Sequence, residues 1–124
     1  MSPEVILVDD SFEDAELTIR ALKKYNLAQQ ILHLQDGEEV LEYMYATNHL
    51  HFPKLIILDI EMPRVGGIEV LRQLKADKVK KLIPIVVMSS SLNEGHISES
   101  YSLGVNGYVL KQPEYEKYME TVRL

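Results

Sequence analysis

Short runs rich in Val, Ile and Leu recur along the chain at residues 5–8, 31–34, 55–58, 83–88 and 107–110. Their length suits strands, whereas the segments between them place apolar residues at helical spacing. Phe12, Ala15, Ile19 and Leu22 fall at i, i+3, i+7 and i+10, which predicts one face of a helix reaching about Tyr25. Asp36-Gly37 opens a second helix that carries Val40, Leu41, Met44 and Tyr45, and two more are predicted over 68–74 and 93–103. A fifth runs from Glu114 toward Leu124. Five strands alternating with five helices leave only short loops, and such alternation means a parallel sheet with right-handed crossovers and helices on both faces. The stretch 76–82, with Lys78, Lys80 and Lys81, reads as a solvated connection.

The polar residues at the strand ends matter more, because ligands of open parallel sheets bind beyond the carboxyl ends of the strands, where strand order reverses. The first strand ends in Asp9-Asp10, the third in Asp59 followed by Glu61, the fourth in Ser89-Ser90-Ser91 and the fifth in Lys111. A lone Asp10 or Ser89 would simply cap the helix that follows. The set asks for more. In a flavodoxin-like (βα)5 sheet of order 2-1-3-4-5, strands 1 and 3 are neighbours, so Asp9, Asp10 and Asp59 meet at the switch point. At ~5 Å and an effective dielectric of ~20, each carboxylate pair repels by roughly 3 kcal/mol. A hard divalent cation offsets that cost, and Mg²⁺ suits the site because it takes one or two carboxylates, keeps waters and coordinates phosphate oxygens. Lys111, Ser89 and Mg²⁺ would then cradle a phosphoryl group that one Asp accepts as an acyl phosphate.

Composition narrows the classes. With 124 residues, 46% hydrophobic and 26% charged, the chain is expected to form one domain over 1–124 with a core of its own. A net charge of −6 argues against a general nucleic-acid binder. Cys is absent, which excludes disulfides and thiolate metal sites. No apolar run approaches the roughly 18 residues of a membrane span, and the start, Met1-Ser2-Pro3-Glu4, lacks a basic leader, so the expected location is cytoplasmic, without membrane contact. His33, His49, His51 and His96 show no ligand spacing, and no zinc site is expected.

Several separated motifs, in order, now carry a resemblance. They are Ile6-Leu7-Val8-Asp9-Asp10, the Asp36-Gly37-Glu38-Glu39 turn, Leu58-Asp59-Ile60-Glu61-Met62-Pro63 with Gly67, Ile83-Pro84-Ile85-Val86-Val87-Met88-Ser89, and Gly104-Val105-Asn106-Gly107-Tyr108-Val109-Leu110-Lys111. The chain resembles the receiver domain of bacterial two-component response regulators, in its single-domain, chemotaxis-regulator-like form. The resemblance implies that a sensor histidine kinase or phosphotransfer protein phosphorylates Asp59. It implies Mg²⁺ held by Asp10 and Asp59, by Asp9 through water and by the Glu61 backbone carbonyl, with Lys111 and Ser89 on the phosphoryl oxygens. Ser89 and Tyr108 look like the switch pair; the plainer alternative for Tyr108, a half-buried strand aromatic, carries less weight. Met62 is expected in the core, and Gly67 and Gly104 to serve backbone geometry near helix ends.

The output implied is a contact with a downstream protein, since nothing after the fifth helix resembles an effector; a homodimer through the face of helix 4, strand 5 and helix 5 is also compatible. Such a protein is a phosphoacceptor and not an enzyme, apart from self-phosphorylation by small phosphodonors and self-dephosphorylation. Two departures stand out: Gln112 follows Lys111 where the family usually has Pro, with Pro113 one residue later, and Glu61 is acidic at a position that, with that of Ser91, tunes dephosphorylation. Two other classes compete. A small phosphatase of the haloacid dehalogenase kind shares the residue types, but its nucleophile ends the first strand and its acidic pair comes late, the reverse of this order. A pseudo-receiver that binds partners without phosphorylation would not need the full set of acids and Lys111.

Overall fold

The computed structural model describes residues 2–62, 64–90 and 93–111. Its strands are β1 (Val5–Val8), β2 (Ile31–Leu34), β3 (Leu55–Leu58), β4 (Ile85–Ser89) and β5 (Gly107–Leu110), all parallel and ordered 2-1-3-4-5. Between them lie α1 (Phe12–Lys24), α2 (Gly37–Ala46), α3 (Gly67–Ala76) and α4 (Glu94–Ser102). The helix expected over 114–124 falls outside the described residues, as do Pro63, Ser91, Gln112 and Pro113.

Parallel strands covered on both faces are apolar throughout, and β1 is buried at every position. One face packs Ile6, Val8, Ile56, Leu58, Ile85 and Val87 against Val40 and Met44 of α2 and Val70, Leu71 and Leu74 of α3. The other packs Val5, Leu7, Ile57 and Met88 against Ala15 and Leu22 of α1. Met62 packs at the edge of the first cluster, as expected.

Helix starts are built from short polar side chains. Ser11 caps α1 by accepting from the Asp14 N–H at 3.2 Å, and Asp36 caps α2 by accepting from the Glu39 N–H at 2.9 Å. Glu13 and Asp14 stand in the first turn of α1 and Lys23 and Lys24 in its last, each complementing the helix dipole. Gly67 is required by a close approach, because a Cβ there would overlap the Asp59 carbonyl oxygen. Gly104, at φ +95°, is required by its backbone conformation.

Three expectations need correction. The fourth strand starts at Ile85 and not at Ile83, because Ile83 closes a 3-10 turn over Lys80–Leu82 by donating its N–H to the Lys80 carbonyl, and Pro84 has no N–H to offer a ladder. Phe12 is 61% exposed and Tyr45 53% exposed, so neither belongs to the core. Phe12 is the first residue of α1 and lies beyond the sheet, edge-on to the His33 ring, while the buried stripe is Ala15, Thr18, Ala21 and Leu22. The connection 76–82 is only partly solvated: Lys80 pairs with Asp77 at 3.3 Å and lies over the Tyr45 ring at 4.7 Å.

Candidate functional site

The register brings the strand ends together. Val8 of β1 pairs with Leu58 of β3, the Asp59 N–H donates to the Val8 carbonyl at 3.0 Å, and the next residues are therefore two aspartates side by side. Side chains alternate across a sheet, so Asp9, Asp59 and Lys111 fall on the α1 side, the side of Leu7, Ile57 and Val109. The Lys111 N–H donates to the Ser89 carbonyl at 2.9 Å, which fixes the end of β5 against β4.

One oxygen from each of Asp9, Asp10 and Asp59 lies within 4.8 Å of the others; Asp9 and Asp59 are buried and Asp10 is exposed. Lys111 Nζ stands among them, 2.8 Å from Asp9 Oδ2 and 3.3 Å from Asp59 Oδ2, with its side chain only 9% exposed. The ammonium therefore already offsets part of the repulsion that the sequence alone assigns to a cation. A further acid, missed in the sequence, completes its surroundings: Asp14 Oδ2 is 3.0 Å from Nζ. The backbone supplies the rest, with the Ser11 N–H donating to Asp9 Oδ1 at 2.9 Å and the Glu61 N–H to Asp59 Oδ1 at 3.4 Å. His33 was also missed; its Nε2 lies 2.8 Å from the Asp9 carbonyl oxygen, which makes that nitrogen the protonated one.

Burial pushes the Asp59 carboxyl up to about 6, a rise that the Lys111 charge opposes and the Asp9 charge reinforces. Burial likewise raises Asp9, against the Lys111 and Ser11 hydrogen bonds. Burial alone would lower Lys111, but its hydrogen bond to Asp9 and the charges of Asp59 and Asp9 outweigh that, and its pKa is raised. The lysine stays protonated. Asp9, Asp10 and Asp59 bring hard oxygen donors together beside a single ammonium, and this acidic pocket fits a divalent cation such as Mg²⁺.

Two neighbouring features frame the pocket. Ser89 is fully buried and Tyr108 half-buried, and both lie on the sheet face under α2 and α3, since Tyr108 pairs with Val87, two residues before Ser89. The loop after Asp59 is tied down by Arg64, whose Nη2 donates to Asp36 Oδ2 at 2.9 Å and whose Nε lies 3.3 Å from Glu38. Arg64 sits at φ +64°, where a side chain other than Gly is uncommon.

Residues 5–123 match the family described as the response regulator receiver domain. The chain belongs to that family. Among its relatives is the Probable methanogenesis regulatory protein FilR2 of Methanothrix harundinacea (strain 6Ac), 32% identical over 120 residues, 95% of this chain and 77% of that one. The phosphorylated cyanobacterial phytochrome response regulator RcpA superposes with a TM-score of 0.90 at 32% identity, covering 99% of this chain and 90% of that one. The Mn²⁺-bound form of response regulator Rcp1 superposes with a TM-score of 0.87 at 32% identity over 98% of this chain and 90% of that one. Rcp1 of Synechocystis sp. (strain ATCC 27184 / PCC 6803 / Kazusa) is 31% identical over 122 residues, 96% of this chain and 83% of that protein.

This receiver domain is thus a signalling protein of two-component or phosphorelay systems, with the flavodoxin-like fold expected. Receiver domains bind Mg²⁺ or Mn²⁺ at an acidic pocket and interact with histidine kinases or phosphotransfer proteins and with downstream targets. Among the described residues, no helix is long and apolar enough to cross a membrane.

Proposed function

We propose that this receiver domain is a cytoplasmic switch that accepts a phosphoryl group on Asp59 from a histidine kinase or phosphotransfer protein and then changes the surface it offers to a downstream protein. The observation that carries this is the placement of Lys111 Nζ 3.3 Å from Asp59 while Asp9, Asp10 and Asp59 converge within 4.8 Å. Asp10, Asp59 and the Glu61 carbonyl would hold Mg²⁺, with Asp9 acting through water. The bound cation supplies charge neutralisation on the transferred group.

An Asp59 oxygen attacks phosphorus, the bond from phosphorus to the donor's histidine nitrogen breaks, and the imidazole leaves with the electron pair. Lys111 turns one of its three N–H donors to the phosphoryl oxygens, and the Ser89 hydroxyl donates to another. At pH 7 Asp59, with a pKa of about 6, is mostly the carboxylate that the attack needs. Ser89 and Tyr108 share a sheet face, so the hydroxyl can draw toward the phosphate while the ring turns in behind it and alters the surface formed by β5 and α4. The output surface includes the face of α4 and β5, and a homodimer through it is one form the output can take.

Amide NMR spectra with and without beryllofluoride and Mg²⁺ test the switch. Shifts reaching Tyr108 and residues 94–102 are expected; shifts confined to the loops of Asp9, Asp10 and Asp59 would contradict it.

A further inference from the structure

Lys111 is held by a carboxylate to which no role has yet been given. Asp14 comes from the first turn of α1, 97 residues away in sequence, and places Oδ2 3.0 Å from Nζ, between the 2.8 Å of Asp9 and the 3.3 Å of Asp59. It lies outside the group of three acids whose oxygens converge for a cation. Its backbone is anchored on both sides: the N–H donates to Ser11 Oγ at 3.2 Å, and the carbonyl accepts from the buried Thr18 hydroxyl at 3.0 Å. Thr18 in turn reaches Met88 Sδ on β4 at 3.9 Å. An ammonium has three donors, and the three carboxylates of Asp9, Asp14 and Asp59 take them all.

We propose that Asp14 is a positioning residue for phosphoryl transfer: it holds the Lys111 ammonium beside Asp59, acting through the lysine and not through the cation. The inference rests on Asp59 being the phosphoacceptor. When Asp59 takes the phosphoryl group, the donor that faced it turns to a phosphoryl oxygen, while Asp9 and Asp14 keep the other two. Without Asp14 the ammonium is left to Asp9, the nearer and more buried acid, and is drawn away from Asp59. Asp14 is itself 37% exposed, so solvent screens part of its pull and its loss slows the reaction without abolishing it.

Phosphorylation by acetyl phosphate at saturating Mg²⁺, followed by intact mass, measures the effect in the whole chain. Asp14→Ala and Asp14→Asn should be roughly three- to ten-fold slower than wild type, Asp14→Glu should recover part of the rate, and Mg²⁺ affinity should stay within about two-fold. In a Lys111→Ala background the Asp14 substitutions should change nothing further. A wild-type rate in Asp14→Ala, an equal loss in the Lys111→Ala background, or a matching fall in Mg²⁺ affinity would each overturn the proposal. The tether has a readout that needs no phosphodonor: the ¹⁵N signal of the Lys111 ammonium should be protected from water exchange in wild type and lost in Asp14→Ala. If wild type takes no phosphoryl group on Asp59, the phosphoacceptor role fails, and an ammonium signal unaltered by Asp14→Ala would separately refute the tether.

Discussion

The Lys111 ammonium lies 2.8 Å from the Asp9 carboxylate, and both side chains are almost completely withdrawn from water. A buried ion pair contributes little beyond a good apolar packing, but breaking it by removing one partner is costly because the other charge stays behind. Lys111→Met should therefore destabilise the metal-free protein by roughly 3 kcal/mol at pH 7, and Mg²⁺ should return much of that loss. Urea unfolding with and without Mg²⁺ measures both, and a variant as stable as wild type would show that the lysine does not hold the acids together.

Asp59 gives a pH dependence of definite sign. Its folded pKa, about 6, is above the ordinary carboxylate value of 3.8, so the folded state holds the proton more tightly than the unfolded chain. The stability it contributes is fully present below pH 3.8 and is lost as pH rises through 6. Metal-free Asp59→Asn should gain on wild type between pH 4 and pH 7, by up to about 3 kcal/mol. A stability difference that does not vary with pH would mean that Asp59 is not desolvated as described.

Protons and cation compete for the same oxygens, so Mg²⁺ affinity should fall as pH drops below about 6 in wild type. Titration calorimetry at pH 7.5 and pH 5 would show it, and equal affinities would contradict a site that includes Asp59.

Asp10 is the exposed member of the three, and water screens its charge. Asp10→Asn should leave the metal-free melting temperature nearly unchanged or slightly raised while weakening Mg²⁺ binding at least about ten-fold. A lowered melting temperature with unaltered affinity would place Asp10 outside the site.

Much of this was legible in the sequence because it depends on short-range pattern. Four of the five strands begin and end where their Val, Ile and Leu runs do, and the switch-point rule places Asp9, Asp10 and Asp59 together before any coordinates are known. Phe12 and Tyr45 were misplaced because helical spacing shows which residues share a face but not where the sheet beneath that face stops. Ile83 was misplaced because an apolar, buried residue can close a turn as well as start a strand. Asp14 had a local explanation, an acid at a helix start, and nothing local reveals that β5 delivers Lys111 beside it. Arg64 is similar: its partners Asp36 and Glu38 stand at the start of α2, far from it in sequence.

The central claim is that Asp59 accepts the phosphoryl group in a cation-dependent reaction, and intact mass spectrometry tests it most directly. Wild-type protein incubated with acetyl phosphate and Mg²⁺ should gain one phosphoryl group, lose that gain when EDTA replaces Mg²⁺, and show none in Asp59→Asn. A gain in Asp59→Asn equal to that of wild type, or one indifferent to EDTA, would contradict the account.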